Sequence, residues 1–255
     1  MRIVRYQTGK QSPRYGWLHK EKIGDIQGDL YGEFRRSEAQ IPLSEVLLLA
    51  PSQPSKIICI GRNYVEHARE HNVEVPEVPL FFLKPPSAVI ASGDTIILPQ
   101  LSVQVEHEGE LVVVIGKRGR YITADEARAH ILGYTIGNDV TARDLQRMDN
   151  QWTRSKGFDS FCPFGPWIDT EFDPSDAILT CRVNGQMRQM ASTRDLVFPV
   201  NTLIAYISSV MTLEPGDLIF TGTPAGVGPL TAGDVVEVEI EGLGNLRNPV
   251  AAESI

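Results

Sequence analysis

Cysteine is scarce in this chain, and the little there is does not cluster. Cys59, Cys162 and Cys181 are odd in number, scattered, and form no C-x-x-C pair, which argues against both a disulfide framework and a zinc cluster. Long apolar runs are missing too: stretches such as Leu111–Ile115 fall far short of the ~20 residues a membrane-spanning helix needs. The chain does not open on a charged-then-apolar leader with a small-residue cleavage site, so a cytoplasmic protein with no membrane partner is expected. Positive charge is in deficit. Against 24 Lys and Arg stand 32 Asp and Glu, a formal net charge of -8, whereas a nucleic-acid partner demands a concentrated basic surface. Carboxylates are thus left available as ligands for a hard cation.

What is present suffices for a packed core. The 255 residues are 42% hydrophobic and 22% charged, enough for one large domain with or without a small appendage. The first 50 residues read as short strands, MRIVRYQ and RYGWLHK, with a turn at Gly24-Asp25 and the run LSEVLLLA before Pro51. The proline-punctuated PSQPS at 51–55 is the best linker candidate. Beyond it, KIICI (56–60), PLFFLK (79–84), DTIIL (94–98), VEHEGELVVVIG (105–116) and ILGYTIGNDV (131–140) read as strands, and NYVEHAREH as one or two helical turns. Thr123 and Glu126 match a capping box that should start a helix running to about His130. Asn184-Gly185 between two alternating runs predicts a hairpin, because both residues tolerate positive φ. NTLIAYISSVM (201–211) is the clearest amphipathic helix, with Leu203, Ile204, Ile207, Val210 and Met211 on one side. DLIFTG and DVVEVEI add strands around a Gly/Pro loop. Many strands and few helices predict a β-dominated α+β fold.

The segment from Val105 to Gly116 carries the most chemistry. Side chains alternate along a strand, so Glu106, Glu108 and Glu110 share a face, with i and i+2 about 6.5–7 Å apart. Such a pair is either solvated or shares a counter-charge. The run LVVVI that follows is apolar at both parities, which implies burial on both faces and a need for a partner. Asp139 ends an apolar strand where a turn residue would also fit. Together, three oxygen ligands without a cysteine favour Mg²⁺ or Mn²⁺ over zinc, with Ca²⁺ also admitted.

Other candidates have plainer alternatives. His67 and Glu70 stand three apart and share a helical face, as an oriented general base would, or as an ordinary charged surface helix would. Lys156 in RSKGFDSFCPFGP suits stabilisation of negative charge, or simple solvation. Arg143 and Gln146 follow Asp139 closely. The loop Thr221–Gly228 has exposed backbone N–H groups that suit a carboxylate, but lacks the Gly-Lys-Ser/Thr ending of a nucleotide loop.

Seven segments in series, IGRNYVEHARE, LFFLKPPSAVI, VEHEGELVVVIGK, GYTIGNDVTARDLQ, SKGFDSFCPFGPW, RVNGQMRQ and GDLIFTGTPAGVG, resemble the fumarylacetoacetate hydrolase family over about residues 56–250. The resemblance implies a mixed β-roll or sandwich with flanking helices (56–255), a small β-rich N-terminal segment (1–55), and a homodimer. It implies metal binding by Glu108, Glu110 and Asp139, catalysis by His67, Glu70 and Lys156, and substrate binding by Arg62, Tyr64, Arg143, Gln146, Gly222 and Thr223. The substrate would be a small 2-oxo acid chelating Mg²⁺ or Mn²⁺, with electron density held as an enolate. Hydrolysis of an acylpyruvate or decarboxylation of an oxaloacetate-type acid ranks first, ahead of isomerisation of 2-hydroxyhepta-2,4-diene-1,7-dioate. A non-catalytic 2-oxo-acid-binding protein and a β-rich interaction module are the readings from other classes. The first 55 residues resemble the short extension of smaller bacterial members, which argues against fumarylacetoacetate itself as substrate.

Overall fold

A computed structural model describes residues 1–254. The N-terminal segment contributes β1 (Arg2–Gln7), β2 (Arg14–His19) and β3 (Lys22–Gly28). The turn expected at Gly24-Asp25 lies instead at Lys20 and Glu21, both with positive φ. Gly24 sits inside β3, where an added Cβ would fall 2.4 Å from Trp17 Nε1 and 2.5 Å from Ser37 O. Glycine is there for close approach, not for chain reversal.

Next come β4 (Ile57–Gly61), α1 (Val65–Glu70), β5 (Leu80–Lys84) and β6 (Ile96–Leu98). The stretch 105–116 is not one strand. It divides at Glu108 into β7 (Val105–His107) and β8 (Gly109–Ile115). The division has a cause: Glu108 N–H donates to Asn138 Oδ1 at 2.8 Å, and its carbonyl accepts from Asp139 N–H at 2.8 Å. That peptide is therefore bonded to the end of β9 (Ile131–Asn138) rather than continuing a ladder. The helix expected from Thr123 is a short 3₁₀ turn, Ala127–His130. Thr123 donates its hydroxyl to Glu126 at 2.8 Å instead of accepting from a backbone N–H, so half of the capping box is missing.

The chain continues through β10 (Thr141–Ala142), α2 (Arg143–Met148), α3 (Thr153–Lys156) and β11 (Cys162–Asp169). The hairpin β12 (Ile178–Val183) and β13 (Gln186–Ser192) turns at Asn184-Gly185 with positive φ at both. Helix α4 (Val200–Val210) buries Leu203, Ile204 and Ile207, while Val210 is exposed, against expectation, because the helix ends there. The last strands are β14 (Leu218–Phe220), β15 (Gly228–Pro229), β16 (Val235–Ile240) and β17 (Gly244–Ala252). Strands hold 42% of the residues and helices 16%, which makes the fold β-dominated α+β.

One sheet of 13 strands runs along β3-β2-β1-β11-β9-β8-β14-β4-β5. Strand β1 pairs with β11, matching Ile3 to Ile168, so the N-terminal strands extend the same sheet. The 51–55 stretch is pinned down: Ser52 Oγ donates to Gly216 O at 2.8 Å and Ser55 Oγ to the buried Asp217 at 2.7 Å. A second sheet runs β6-β17-β16-β12-β13, and a third β10-β7-β15. Strand β8 is buried throughout. Leu111, Val113 and Ile115 enter one hydrophobic cluster and Val112 and Val114 another, as period-two side chains do on a strand covered on both faces. The candidate site lies at the start of this strand, where the chain leaves the apolar layers.

Candidate active site

Three acids converge there. Ligand oxygens of Glu108, Glu110 and Asp139 lie within 4.8 Å of one another, and all three residues are buried. Glu110 is the second residue of β8, Asp139 follows β9, and the register pairing Glu110 with Gly137 and Gly109 with Asn138 brings the two strand ends together. Three buried carboxylates repel unless compensated, and the compensation is uneven. Lys156 Nζ donates to Glu108 at 2.9 Å and to Asp139 at 2.7 Å. Lys84, which sequence reasoning passed over, is fully buried; it bonds Asp139 and, at 3.1 Å, the carbonyl of Val140. Arg143 bonds Glu106 at 2.7 Å and also Glu108, and Thr141 Oγ1 donates to Glu108 at 3.0 Å.

Glu110 receives only the backbone N–H of Gly222, at 2.7 Å. Burial, then Asp139 and Glu108, push its carboxyl well above the usual range. Burial alone would raise Glu108 too, but Lys156 and Arg143 outweigh it and hold that carboxyl low. Four buried acids, Glu106, Glu108, Glu110 and Asp139, thus face three buried cationic groups, Lys84, Arg143 and Lys156. Glu110, whose ionised form has no counter-charge left among these, completes an all-oxygen donor set that fits a hard divalent cation. The triad could hold such an ion.

Glu108 and Asp139 form one wall of a cavity of about 250 Å³, with Glu110 behind them. Of the residues singled out from sequence, Arg62, His67, Glu108, Asp139, Arg143, Gln146, Lys156 and Thr223 line it. Tyr64, Glu70, Glu110 and Gly222 do not. Tyr64 is buried, its hydroxyl without a hydrogen-bond partner. Gly222, at φ 101°, faces Glu110, and an added Cβ would lie 2.7 Å from Asn63 Cβ. Arg143 is bound to Glu106, Glu108 and Gln146, so its charge is largely committed to the protein. Thr223 Oγ1 donates to Gly109 O at 2.9 Å and accepts from Gln189 at 2.7 Å.

His67 lies on α1, its Nδ1 3.4 Å from Glu70 Oε2. Glu70 in turn accepts from Gly226 N–H at 3.1 and 3.2 Å. Burial lowers the His67 pKa below 6.5, with Glu108 pulling the other way, so the ring is neutral near pH 7 and able to take a proton. Lys156, far from being a solvated loop lysine, is buried with its Nζ 4.9 Å from the centre of the Phe82 ring. Burial disfavours its charge, yet Asp139 and Glu108 prevail and raise its pKa. Besides Lys84, sequence reasoning missed His71, Arg147 and Trp152 in the cavity wall. The Lys84 signal, a lone lysine ending an apolar strand before Pro85-Pro86, names no partner.

The profile described as fumarylacetoacetate (FAA) hydrolase C-terminal matches residues 56–251, and one described as Rv2993c-like, N-terminal matches residues 1–51. Oxaloacetate tautomerase FAHD2B, mitochondrial, from Bos taurus is 48% identical over 223 residues, covering 82% of this chain and 71% of the other. A solved 2-hydroxyhepta-2,4-diene-1,7-dioate isomerase from Mycobacterium marinum superposes with a TM-score of 0.93 at 42% identity, covering 100% of both chains. A maleylpyruvate hydrolase from Sphingobium sp. SYK-6, solved with manganese(II) and pyruvate, has a TM-score of 0.82 at 33% identity, again over 100% of both. These relatives are enzymes of three reaction types.

Proposed function

Because the chain belongs to the fumarylacetoacetate hydrolase family, we propose that it is a divalent-cation-dependent enzyme of small 2-oxo acids, whose central step moves a proton at the carbon beside the keto group. The observation that carries this reading is the convergence of Glu108, Glu110 and Asp139 within 4.8 Å beside a cavity that Glu108, Asp139 and His67 line. These three residues would hold Mg²⁺ or Mn²⁺, and the ion would supply Lewis acidity towards the keto and carboxylate oxygens of the substrate.

The protein's own groups do the rest. His67, neutral and steered by Glu70, takes the proton from carbon and returns it to oxygen, which interconverts keto and enol forms. Lys156, held by two acids, keeps a fixed positive charge beside the developing negative oxygen. Arg62 has no ion-pair partner among the described residues and lines the cavity with Arg147. Both suit the second carboxylate of a dicarboxylic acid. With His67 placed to move a proton, oxaloacetate-type keto–enol tautomerisation ranks first, in keeping with the Bos taurus relative.

Hydrolysis of an acylpyruvate, or decarboxylation of an oxaloacetate-type acid, is the second reading. It is favoured by the His67–Glu70 pair, which is equally suited to draw a proton from water attacking the distal carbonyl. Oxaloacetate, acetylpyruvate, fumarylpyruvate and 2-hydroxyhepta-2,4-diene-1,7-dioate, each assayed with Mg²⁺ or Mn²⁺ and with EDTA, separate the two. Loss of enol absorbance without release of pyruvate supports tautomerisation, and pyruvate release from an acylpyruvate supports cleavage. Inertness towards all four would end the enzymatic proposal. A cytoplasmic homodimer belongs to the same proposal. Leu101, Val103 and Met148 are exposed and would be covered if they meet in such an interface; light scattering tests the dimer.

A further inference from the structure

His67, Glu70 and His71 form a second group of metal-competent side chains, of which the proposed reaction uses only two. Spaced three and four apart on α1 and just past its end, they project to one face. Their ligand atoms lie within 4.8 Å of one another. The two imidazoles meet edge to face, ring centroids 4.7 Å apart, and both rings line the cavity. His71 Nε2 is buried with no hydrogen-bond partner, which interior polar atoms normally avoid. Both Glu70 oxygens accept from Gly226 N–H, so its carboxylate is already oriented.

The donor chemistry differs from that of the triad. Oxygen-only sites suit hard ions, whereas two imidazoles and a carboxylate suit Zn²⁺ and its neighbours. Zinc enzymes present paired histidines one helical turn apart in just this way. We propose that His67, Glu70 and His71 form a second cation site, distinct from the acidic triad and selective for a borderline transition metal ion, Zn²⁺ above all. Three protein ligands leave one position open for water.

Occupancy has a chemical consequence. A ring nitrogen bound to the ion has given up its lone pair, and the other nitrogen of the neutral ring then carries the proton. Whichever nitrogen coordinates, His67 can no longer accept a proton from substrate. Zn²⁺ is then an inhibitor even when Mg²⁺ saturates the triad. This consequence, unlike the site itself, rests on the reading of His67 as the base.

The test is a calorimetric Zn²⁺ titration of the full chain in excess Mg²⁺, with the imidazole ¹⁵N resonances followed in parallel. One Zn²⁺ per chain is expected, with the His67 and His71 resonances moving together. His71→Gln should weaken Zn²⁺ by at least about tenfold, while Glu110→Gln leaves Zn²⁺ binding in place. Unchanged affinity in His71→Gln, resonance shifts that spare His71, or loss of Zn²⁺ in Glu110→Gln would each overturn the site. Inhibition by Zn²⁺ that His71→Gln relieves supports both site and base. Zn²⁺ held by the two histidines without inhibition upholds the site and removes His67 as the base.

Discussion

The acidic triad and the histidine cluster border one cavity but are built in opposite ways. Glu108, Glu110 and Asp139 stand at the ends of interior strands, locked by Lys84, Lys156, Arg143 and backbone N–H groups. His67 and Glu70 ride a helix of six residues. That helix is tied to the body by few bonds, chiefly those of Asn63 to Phe198 and Thr221 and of Glu70 to Gly226. The charge-holding half of the site is thus continuous with the core, while the proton-moving half is laid on top of it. Damage to Glu108 or Asp139, which hold the buried cations, should cost stability and metal together. Damage to the proton-moving half should cost only chemistry.

The strongest way to break this contrast is Asp139→Ala. It deprives buried Lys84 and Lys156 of a shared counter-charge, and breaking such a buried pair costs about 3–5 kcal/mol. Melting curves with and without Mn²⁺ should show a lower Tm and no stabilisation by the ion. Parental stability with intact Mn²⁺ binding would remove Asp139 from the site. His67→Gln sharpens the other half: Tm and Mn²⁺ affinity should stay parental while turnover falls about 10²–10⁴-fold. A matching fall in Mn²⁺ affinity would mean the two halves are one.

Glu110→Gln probes the triad from within. Because burial, Asp139 and Glu108 already disfavour the Glu110 charge, a neutral amide should be tolerated in the metal-free fold, with Gly222 N–H still satisfied. Mn²⁺ affinity should drop by at least the ~10–100-fold that loss of a group merely supporting a ligand costs, read by calorimetry. A large loss of metal-free Tm would contradict that account. The smallest effect concerns pH. Burial holds His67 and His107 below their ordinary value of 6.5, so as pH falls through 6.5 the unfolded chain gains protons that the folded one refuses. Stability attributable to both is present above 6.5 and declines on acidification towards their folded pKa values. Melting curves across that window check it, and His107→Gln should flatten the slope.

Much of the site was legible because strand periodicity is a local rule. The alternating Glu108 and Glu110, with an all-apolar run behind them, announce acids at the edge of a buried strand, and the three-residue spacing of His67 and Glu70 announces a shared face. Other features were not. Nothing local distinguishes Glu108 as the residue at which VEHEGELVVVIG parts into two strands, because the cause is Asn138, 30 positions away. Lys84 reads as a strand-end charge until Asp139, 55 positions on, is beside it. Gly24 looks like a turn residue because the crowding that demands it comes from Trp17 and Ser37.

Sequence alone determined which side chains alternate, which segments are apolar enough to be interior, and hence that three acids would lie at the margin of a core. Only the tertiary structure decided how those acids are compensated, that Lys156 is buried rather than solvated, and that His71 joins His67 and Glu70. The reason is range. Backbone periodicity acts over a few residues, whereas burial and Coulomb interactions act through space, between groups whose separation along the chain carries no information about their separation in the fold.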